Sequence, residues 1–343
     1  MDTCRTGIIF FTIYMVGMLA IPSLVHMHIV YPSLAAGALY SEFEDGTMIF
    51  VGDIMLGRAV ERISKKEGRM YPFEGMGRFL QSADVTIGNF EGSIPDIHTP
   101  TPNGSLRFSI EEEFMGPLQE VGFDVFSLAN NHAYDFGDDG LTHTREVCAA
   151  YEFACVGDPR DVEGGGAATV AIGSTRIAVV GVHAVFLLPS LSEIEDRLRE
   201  VEGNSDMQIV YIHWGEEYAN THSDQQQALA HALIDMGFDA VIGHHPHVVQ
   251  DIEVYEGRPI FYSLGNFIFD QYFSEEVQQG LVVMFTSTRD TFVYTLVPIS
   301  SIGTKSQPHI MNVEHQQVFL SELFERSTTT KPYVVGNSLI IAK

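Results

Sequence analysis

The sequence predicts an α/β protein with a mixed β-sheet, and three observations support this. Short apolar runs of strand length alternate with stretches of helical period from Met48 to about Asp270, which is typical of layered α/β folds. Gly173-Ser174 and Glu256-Gly257 have turn chemistry between strand-like runs, so hairpins add antiparallel strands. With 343 residues, 45% of them hydrophobic, the chain can bury a large core.

The individual elements follow from the two periods of apolar residues, two residues in a strand and about 3.6 in a helix. Runs bounded by turn residues predict strands at Thr47–Gly52, Val85–Gly88, Val125–Leu128, Ala154–Val156, Ala168–Ile172, Ile177–Gly181, Ile209–His213, Ala240–Ile242, Val248–Tyr255 and Ile260–Ser263. Amphipathic stretches predict helices at Asp53–Glu67, Phe73–Gln81, Ile110–Val121, Asp139–Ala150, Ser190–Glu202 and Ser223–Met236. After these come strand-like runs at Leu281–Phe285 and Phe292–Val297 and a helical stretch near Val318–Arg326.

The charge balance excludes some partners. Nineteen Lys and Arg residues stand against 45 Asp and Glu residues, a formal net charge of -26. Such a chain is repelled by nucleic acid and by an anionic bilayer surface. One cluster of basic residues falls just after Asp53 and indicates a solvated helix face, with the first of them as the exception because it is nearest to a strand end: Arg58, Arg62, Lys65, Lys66 and Arg69.

The first forty residues predict export. Thr6 through Val25 carry no charge and are long enough to cross a bilayer as a helix, although Pro22 would kink or end it. Arg5 precedes this run and acidic residues follow it from Glu42, which favours a cytoplasmic N-terminus and an extracytoplasmic main domain. We expect an uncleaved anchor in the cell membrane; cleavage near residues 36–38 would release a secreted protein.

The three cysteines do not have the spacing of a metal finger. Cys4 lies in the N-terminal segment, and Cys148 and Cys155 lie in the main domain. For these last two we expect ordinary buried thiols rather than a disulfide.

Histidines follow the apolar run Asp239–Ile242. If Gly243–Val248 continues the strand, His245 and His247 point to one face and His244 to the other. Two imidazoles on one face indicate a metal ion. Further ligand types end other apolar runs, where α/β folds assemble their sites: Asp53, Glu91, Asn131, His132 and His213.

Six motifs occur in order: residues 52–58 (GDIMLGR), 88–91 (GNFE), 130–137 (NNHAYDFG), 213–218 (HWGEEY), 243–247 (GHHPH) and 262–267 (YSLGNF). The set resembles the CapA-type capsule-synthesis proteins over about two thirds of the chain. Those proteins are associated with poly-γ-glutamate capsules, and their domain is similar to the calcineurin-like metallophosphoesterases. The resemblance implies a metallophosphoesterase-like four-layer αββα sandwich with mixed sheets. We divide the chain into an anchor and linker (1–40), this domain (41–275) and C-terminal strands and a tail that complete the sheet (276–343).

The resemblance also implies roles. Glu91 bridges two divalent ions, Asp53 binds one, Asn131 and His213 bind the other, and His245 and His247 complete the pair. The catalytic acid or base is His132, oriented by Asp135, and the substrate-binding residues are Arg58, Asn89 and Glu217. Carboxylate, amide and imidazole ligands suit one or two ions of manganese, zinc, iron or magnesium without distinguishing among them.

One departure from the metallophosphoesterases leaves the chemistry open. They carry a histidine two residues after the first aspartate, where this chain has Met55, so one metal position loses a ligand. A phosphoesterase-like hydrolase, an amide hydrolase or peptide epimerase, and a non-catalytic accessory of a membrane polymer synthase all fit. The partners expected are the membrane, the synthase subunits and an anionic polymer or phosphoester substrate, but not nucleic acid.

Several site residues also have a structural interpretation. Asp53 could cap the helix predicted after it, and Asn131 could be a turn residue; both are compatible with metal binding. Trp214 and Tyr218 are expected to form site walls, and Asn266 to be loop-forming.

Overall fold

A computed structural model describes residues 46–186 and 188–343. The apolar segment predicted to be a membrane anchor lies outside these residues. Among the helices that are described, none combines the length and the hydropathy needed to cross a bilayer.

Seven helices and sixteen strands are present in the described residues. The helices are α1 (Arg58–Glu67), α2 (Gly77–Leu80), α3 (Met115–Glu120), α4 (Gly137–Ala150), α5 (Leu191–Glu202), α6 (Asp224–Met236) and α7 (Val313–Arg326). The strands are β1 (Thr47–Ile54), β2 (Val85–Phe90), β3 (Val125–Ser127), β4 (Ala154–Val156), β5 (Ala167–Ile172), β6 (Thr175–Ala184), β7 (Met207–Trp214), β8 (Ala240–His244), β9 (Ile252–Tyr255), β10 (Arg258–Phe261), β11 (Asn266–Ile268), β12 (Gln279–Ser287), β13 (Thr291–Ser300), β14 (His309–Ile310), β15 (Val334–Val335) and β16 (Ser338–Ala342).

The strands form two mixed sheets. The first has the order β15-β16-β13-β12-β1-β2-β3-β4, with β11 beside β1 and β14 beside β13, and the second has the order β5-β6-β7-β8-β10-β9. Strands β1 to β4 are parallel neighbours, as are β6 to β8. Both predicted hairpins, β5–β6 and β9–β10, are present as antiparallel pairs. The chain after residue 276 contributes β12 to β16 to the first sheet.

Side-chain alternation in the strands defines four layers. In β1, Phe50 packs into a core between the two sheets, whereas Val51 packs on the other face with α1 and α4. In β7, Tyr211 joins the core between the sheets, and Val210 packs on the opposite face with α5 and α6. Because each sheet buries both faces, helices cover the two outer faces and the architecture is αββα. The predicted fold class is therefore confirmed.

Two predicted boundaries at the site are wrong. The helix predicted from Asp53 begins at Arg58, because Asp53 still belongs to β1 and pairs with Asn89 and Asn266. Asp53 is therefore not a helix cap. Asp270 accepts the hydrogen bond of the Ala59 amide at the start of α1 instead.

The strand predicted from Val248 begins only at Ile252. The chain leaves β8 at His244, and both His245 (φ 95°) and His247 (φ 59°) have left-handed backbone conformations. The prediction that they share one face of an extended strand is therefore wrong. Outside the site, the stretches predicted as helices over 73–81 and 110–121 are broken into short 3-10 turns and the short helices α2 and α3.

Cys148 and Cys155 form a disulfide, which corrects the expectation of two buried thiols. The bridge joins the last turns of α4 to β4, the edge strand of the first sheet. Sequence spacing alone did not reveal that the end of α4 returns beside this strand.

We predict that Cys148→Ser lowers the free energy of unfolding by about 2 kcal/mol, because the bridge closes a short loop and restricts the unfolded chain. Urea unfolding of the oxidised protein would measure the loss. The control is wild type with dithiothreitol, which should lose the same amount. Equal stability with and without reductant would show that the bridge does not form in solution.

Candidate metal centre

The predicted ligands meet where several parallel strands end at one edge of the two sheets. Asp53 lies near the end of β1, Glu91 directly follows β2, and His213 lies near the end of β7. The two sheets are fixed to each other beneath this edge, because the Tyr211 hydroxyl of β7 donates a hydrogen bond of 2.5 Å to the Val51 carbonyl of β1.

Glycines let the backbone pack closely beside the site. A Cβ on Gly52 would lie 1.9 Å from the Gly265 carbonyl oxygen, and one on Gly243 would lie 2.1 Å from the Tyr262 carbonyl oxygen. Each of these glycines immediately precedes a residue of the site, so the Gly-Asp and Gly-His pairs of the sequence reflect packing as well as chemistry.

Asp53, Glu91 and His213 form the centre of the site. All three are buried, and each offers one ligand atom that lies within 4.8 Å of the other two. Both carboxylate oxygens of Glu91 are buried without a hydrogen-bond partner among the described residues. Leaving one buried polar group unpaired costs about 1–3 kcal/mol, and more if it is charged. Both carboxylate oxygens of Glu91 are therefore available to a ligand, as is expected of a residue that bridges two ions.

Neighbouring histidines compensate part of this buried charge. Burial alone would raise the pKa of Asp53, but hydrogen bonds and charge from His244 and His247 lower it well below its usual value. Burial opposes the charge of His247, yet Glu91 and Asp53 together raise its pKa to about 9. Burial also raises the pKa of Glu91 well above its usual value, against the charge of His247. Asp53 is therefore the more readily ionised of the two carboxyl groups, and ionisation of Glu91 is unfavourable without a further positive charge.

Two other imidazoles are neutral. Burial, and then the charge of His245, lowers the pKa of His213 well below its usual value. Burial, followed by the charge of His247, lowers the pKa of His245 to about 3. Their ring centroids are 4.8 Å apart, and Nδ1 of His245 is buried without a partner among the described residues. Neutral imidazole is the form of histidine that binds metal ions.

Amide side chains orient these ligands. The Asn131 side-chain oxygen lies 2.8 Å from Nε2 of His213. The Asn89 amide nitrogen lies 2.8 Å from Asp53 Oδ1 and 3.1 Å from His213 Nδ1. Asn89 has no exposed surface, and its role in substrate binding stays a prediction. It positions Asp53 and His213 from behind.

The histidines after β8 approach the centre from different directions. Nδ1 of His247 lies 3.2 Å from Asp53 Oδ2, and its Nε2 lies 3.7 Å from Glu91 Oε1. His244 was expected to face away, but its Nδ1 lies 3.5 Å from Asp53 Oδ1. The His247 imidazole thus contacts both carboxylates and that of His244 contacts Asp53, whereas the His245 ring lies beside His213 and the His245 backbone amide donates a hydrogen bond to Asp53 Oδ2.

His132 lies at the edge of the centre. Its Nδ1 is 2.9 Å from Asp135 Oδ2, and its Nε2 is 3.8 Å from Glu91 Oε1. The imidazole stacks on Phe108 at 3.7 Å between ring centroids, and the Phe108 backbone amide donates a hydrogen bond to the same Asp135 oxygen. Asp135 and Phe108 thus fix the plane of the ring and leave Nε2 directed to the centre.

The remaining predicted substrate-binding residues differ in availability. The Arg58 guanidinium pairs with Asp270, donates to the Ser105 carbonyl and lies 4.5 Å over the Phe108 ring. Its charge is therefore already paired with that of Asp270, although the guanidinium remains close enough to lower the pKa of Glu91. Glu217 is exposed and also acts on Glu91 and His247. It adds negative charge at the mouth of the site.

Sequence reasoning missed three residues of the site. His244 was expected to point away and Asn266 to form a loop, yet Asn266 Oδ1 lies 3.0 Å from His247 Nδ1 and orients that imidazole. His183 received no role, although its ring lies 6.1 Å from that of His213. The signal for His183 was available: like His213, it stands near the end of an apolar strand-like run.

The residues present fit a hard or borderline divalent ion. The donors are carboxylate, amide and neutral imidazole, which suit manganese, zinc, iron or magnesium. The unpartnered oxygens of Glu91 are the observation that supports the fit. Met55 contributes no ligand: it is buried in the apolar layer outside the first sheet, and its sulfur accepts a hydrogen bond from the Gly57 amide.

Comparison with known proteins identifies the family of the chain. The family model described as "Bacterial capsule synthesis protein PGA_cap" matches residues 47–271. The "Capsule biosynthesis protein CapA" of Bacillus anthracis is 33% identical over 301 residues, covering 82% of this chain and 73% of the relative. The "PGA biosynthesis protein CapA" of Bacillus subtilis is 30% identical over 294 residues, covering 81% and 77%.

More distant matches include a "Probable polyglutamine synthesis accessory protein" of Mycobacterium tuberculosis, 26% identical over 282 residues and covering 65% of this chain and 74% of the relative. A solved structure of a hypothetical protein from Thermus thermophilus aligns with a TM-score of 0.46 at 20% identity, covering 77% of this chain and 98% of that one. On the family model and the two Bacillus relatives, the chain belongs to the bacterial capsule synthesis protein family PGA_cap.

Proposed function

We propose that this chain is a metal-dependent, phosphoesterase-like hydrolase that acts in the biosynthesis of a poly-γ-glutamate or similar surface polymer. The observation that carries the catalytic part is the Glu91 carboxylate, buried and unpartnered between Asp53 and His213. Neither oxygen has a hydrogen-bond partner among the described residues, and the imidazoles of His247 and His132 come no nearer to Oε1 than 3.7 and 3.8 Å. A buried carboxylate compensated so incompletely is stabilised when a cation reaches it. The biosynthetic part rests on the names of the CapA relatives.

Six residues would hold the ion or ions: Asp53, Glu91, Asn131, His213, His245 and His247. A bound divalent ion would polarise the phosphoryl or carbonyl group under attack and favour deprotonation of the attacking water. His132 provides the proton chemistry of the protein itself. With Nδ1 hydrogen-bonded to the Asp135 carboxylate, the imidazole carries its hydrogen there, and Nε2 can take or deliver a proton at the leaving atom.

One observation favours a second candidate, amide cleavage or peptide epimerisation. Met55 lies in the apolar layer, so one metal position has fewer protein ligands than in a metallophosphoesterase. A single ion beside His132 would suit polarisation of an amide carbonyl, with His132 protonating the leaving nitrogen or removing the adjacent α-proton. The name of the mycobacterial relative supports a third candidate, a non-catalytic accessory of a polymer synthase.

We further propose that the main domain works outside the cytoplasm, anchored by the apolar N-terminal segment beside membrane subunits of the synthase. The disulfide between Cys148 and Cys155 supports this placement, because structural disulfides persist in oxidising compartments. The substrate on this proposal is an anionic polymer or a phosphoester, which the strongly acidic chain would admit only with the help of bound cations.

The metal ligands can be tested without a substrate. We predict that Glu91→Gln lowers manganese affinity at least about tenfold, because it removes a charged ligand. It should leave the melting temperature of the metal-free protein unchanged or raised, because it also removes an unpaired buried carboxylate. Calorimetric titration and thermal unfolding would measure the two effects.

Asp239→Asn is the matched control. Asp239 is also a buried carboxylate, but it precedes β8 at the opposite end of that strand and pairs with Arg258. It should destabilise the protein and leave manganese affinity unchanged. Glu91→Gln behaving like this control would contradict a metal-binding role.

Catalysis can be tested on His132. We predict that His132→Asn keeps manganese affinity but lowers kcat at least about 100-fold, because it removes the general acid or base. Turnover of bis(p-nitrophenyl) phosphate and γ-glutamyl-p-nitroanilide would also show which bond is cleaved. His315→Ala, an exposed histidine on α7, is the control. Metal-loaded wild type that turns over neither compound would favour the accessory role. His132→Asn with undiminished activity would contradict the acid-base role of His132.

A further inference from the structure

His183 is a histidine of the metal site to which neither the family motifs nor the proposed chemistry gives a role. It lies in β6, directly beside His213 of β7, which in turn lies beside His244 of β8. Three adjacent parallel strands therefore present a histidine at the same level of the second sheet. Because paired residues of neighbouring parallel strands point their side chains to the same face of the sheet, His183 lies on the face that carries His213 and the centre.

The hydrogen bonding of His183 fixes which ring nitrogen is free. Its Nδ1 lies 2.6 Å from the Pro159 carbonyl oxygen. A carbonyl oxygen only accepts hydrogen bonds, so Nδ1 carries the hydrogen and Nε2 presents a lone pair. This Nε2 is buried and has no partner among the described residues. An unpaired buried acceptor is costly, and it indicates a hydrogen-bond donor that arrives with a ligand.

The surroundings of His183 place that donor. The His213 ring centroid is 6.1 Å away, and His132 and His245 are close enough to interact electrostatically with His183. No hydrogen-bond acceptor lies beside Nε2 among the described residues, so nothing there holds a second proton and the buried imidazole is neutral. Phe186, which is 74% exposed, stands perpendicular to the ring at 5.9 Å between centroids.

We propose that His183 is a substrate-binding residue, whose Nε2 accepts a hydrogen bond from an N–H or O–H group of the ligand that enters between His132 and His213. The inference rests on the metal centre proposed above and narrows its ligands. A neutral acceptor favours a substrate that presents an amide hydrogen beside the reacting group. It forms no hydrogen bond with an oxyanion that carries no hydrogen. Among the substrates proposed above, His183 thus favours those that carry an amide hydrogen.

Two small probes distinguish a ligand that carries an N–H group from an oxyanion that carries no hydrogen. Both are titrated into the manganese-loaded full chain in detergent. Acetohydroxamate binds metal ions through oxygen and carries an N–H group, whereas sulfate is an oxyanion without hydrogen at neutral pH. Calorimetric titration gives the Kd of each probe. We predict that His183→Ala weakens acetohydroxamate binding about tenfold, the effect of one hydrogen bond, and leaves sulfate binding and manganese affinity unchanged.

His183→Gln should restore acetohydroxamate binding, because the side-chain oxygen of glutamine is an acceptor, and His315→Ala should match wild type. Equal weakening of both probes, no weakening of either, or no acetohydroxamate binding by manganese-loaded wild type would overturn the role of His183. Wild type that binds no manganese would instead contradict the metal centre itself, so the two failures are distinguishable.

Discussion

The site depends on two carboxylates that share one buried space. Asp53 and Glu91 have no exposed surface, and they lie close enough for one ion to touch both. Their charge is opposed by the imidazoles of His244 and His247, whereas the nearest guanidinium, that of Arg58, is paired with Asp270. Burying two like charges with incomplete compensation is unfavourable. A divalent cation removes this cost, and the rest of the site is arranged around that requirement.

The fold provides the arrangement through parallel strands whose ends meet. Strand β1 brings Asp53 and β2 leads to Glu91 in the first sheet, while β7 and β8 bring His213 and His244 in the second. The ligands of one centre therefore come from both sheets, and the hydrogen bond from the Tyr211 hydroxyl to the Val51 carbonyl ties the sheets together close to it. Rigid strands hold the donors, and the loops after them supply Asn131, His132 and His245.

Much of the fold could be predicted because its strands are regular. The strand Ala154–Val156 has its predicted boundaries, and both hairpins follow from their turn residues. The errors fall where tertiary contacts override local pattern. Asp53 looked like a helix cap, but pairing with β2 and β11 keeps it in β1. The pattern at His245 and His247 looked extended, but left-handed turns redirect both side chains.

The site was predictable in its residue types more than in its connections. The motifs named the carboxylates and imidazoles that the structure brings together, because each ends an apolar run. They could not show that Asn89 is sealed behind Asp53, that Asn266 contacts His247, or that Cys148 meets Cys155, since these contacts join distant or differently oriented segments. The position of His183 beside His213 depends on strand order, which the sequence did not specify.

The most direct measurement of the central claim is anomalous X-ray diffraction at the manganese absorption edge, on crystals grown with manganese. The buried carboxylates require a peak between Asp53 and Glu91, within about 2.2 Å of a Glu91 oxygen and of an imidazole nitrogen. A second peak near Asn131 and His213 would establish a two-ion centre. Density for a paired Glu91 carboxylate without any anomalous peak beside it would contradict the account.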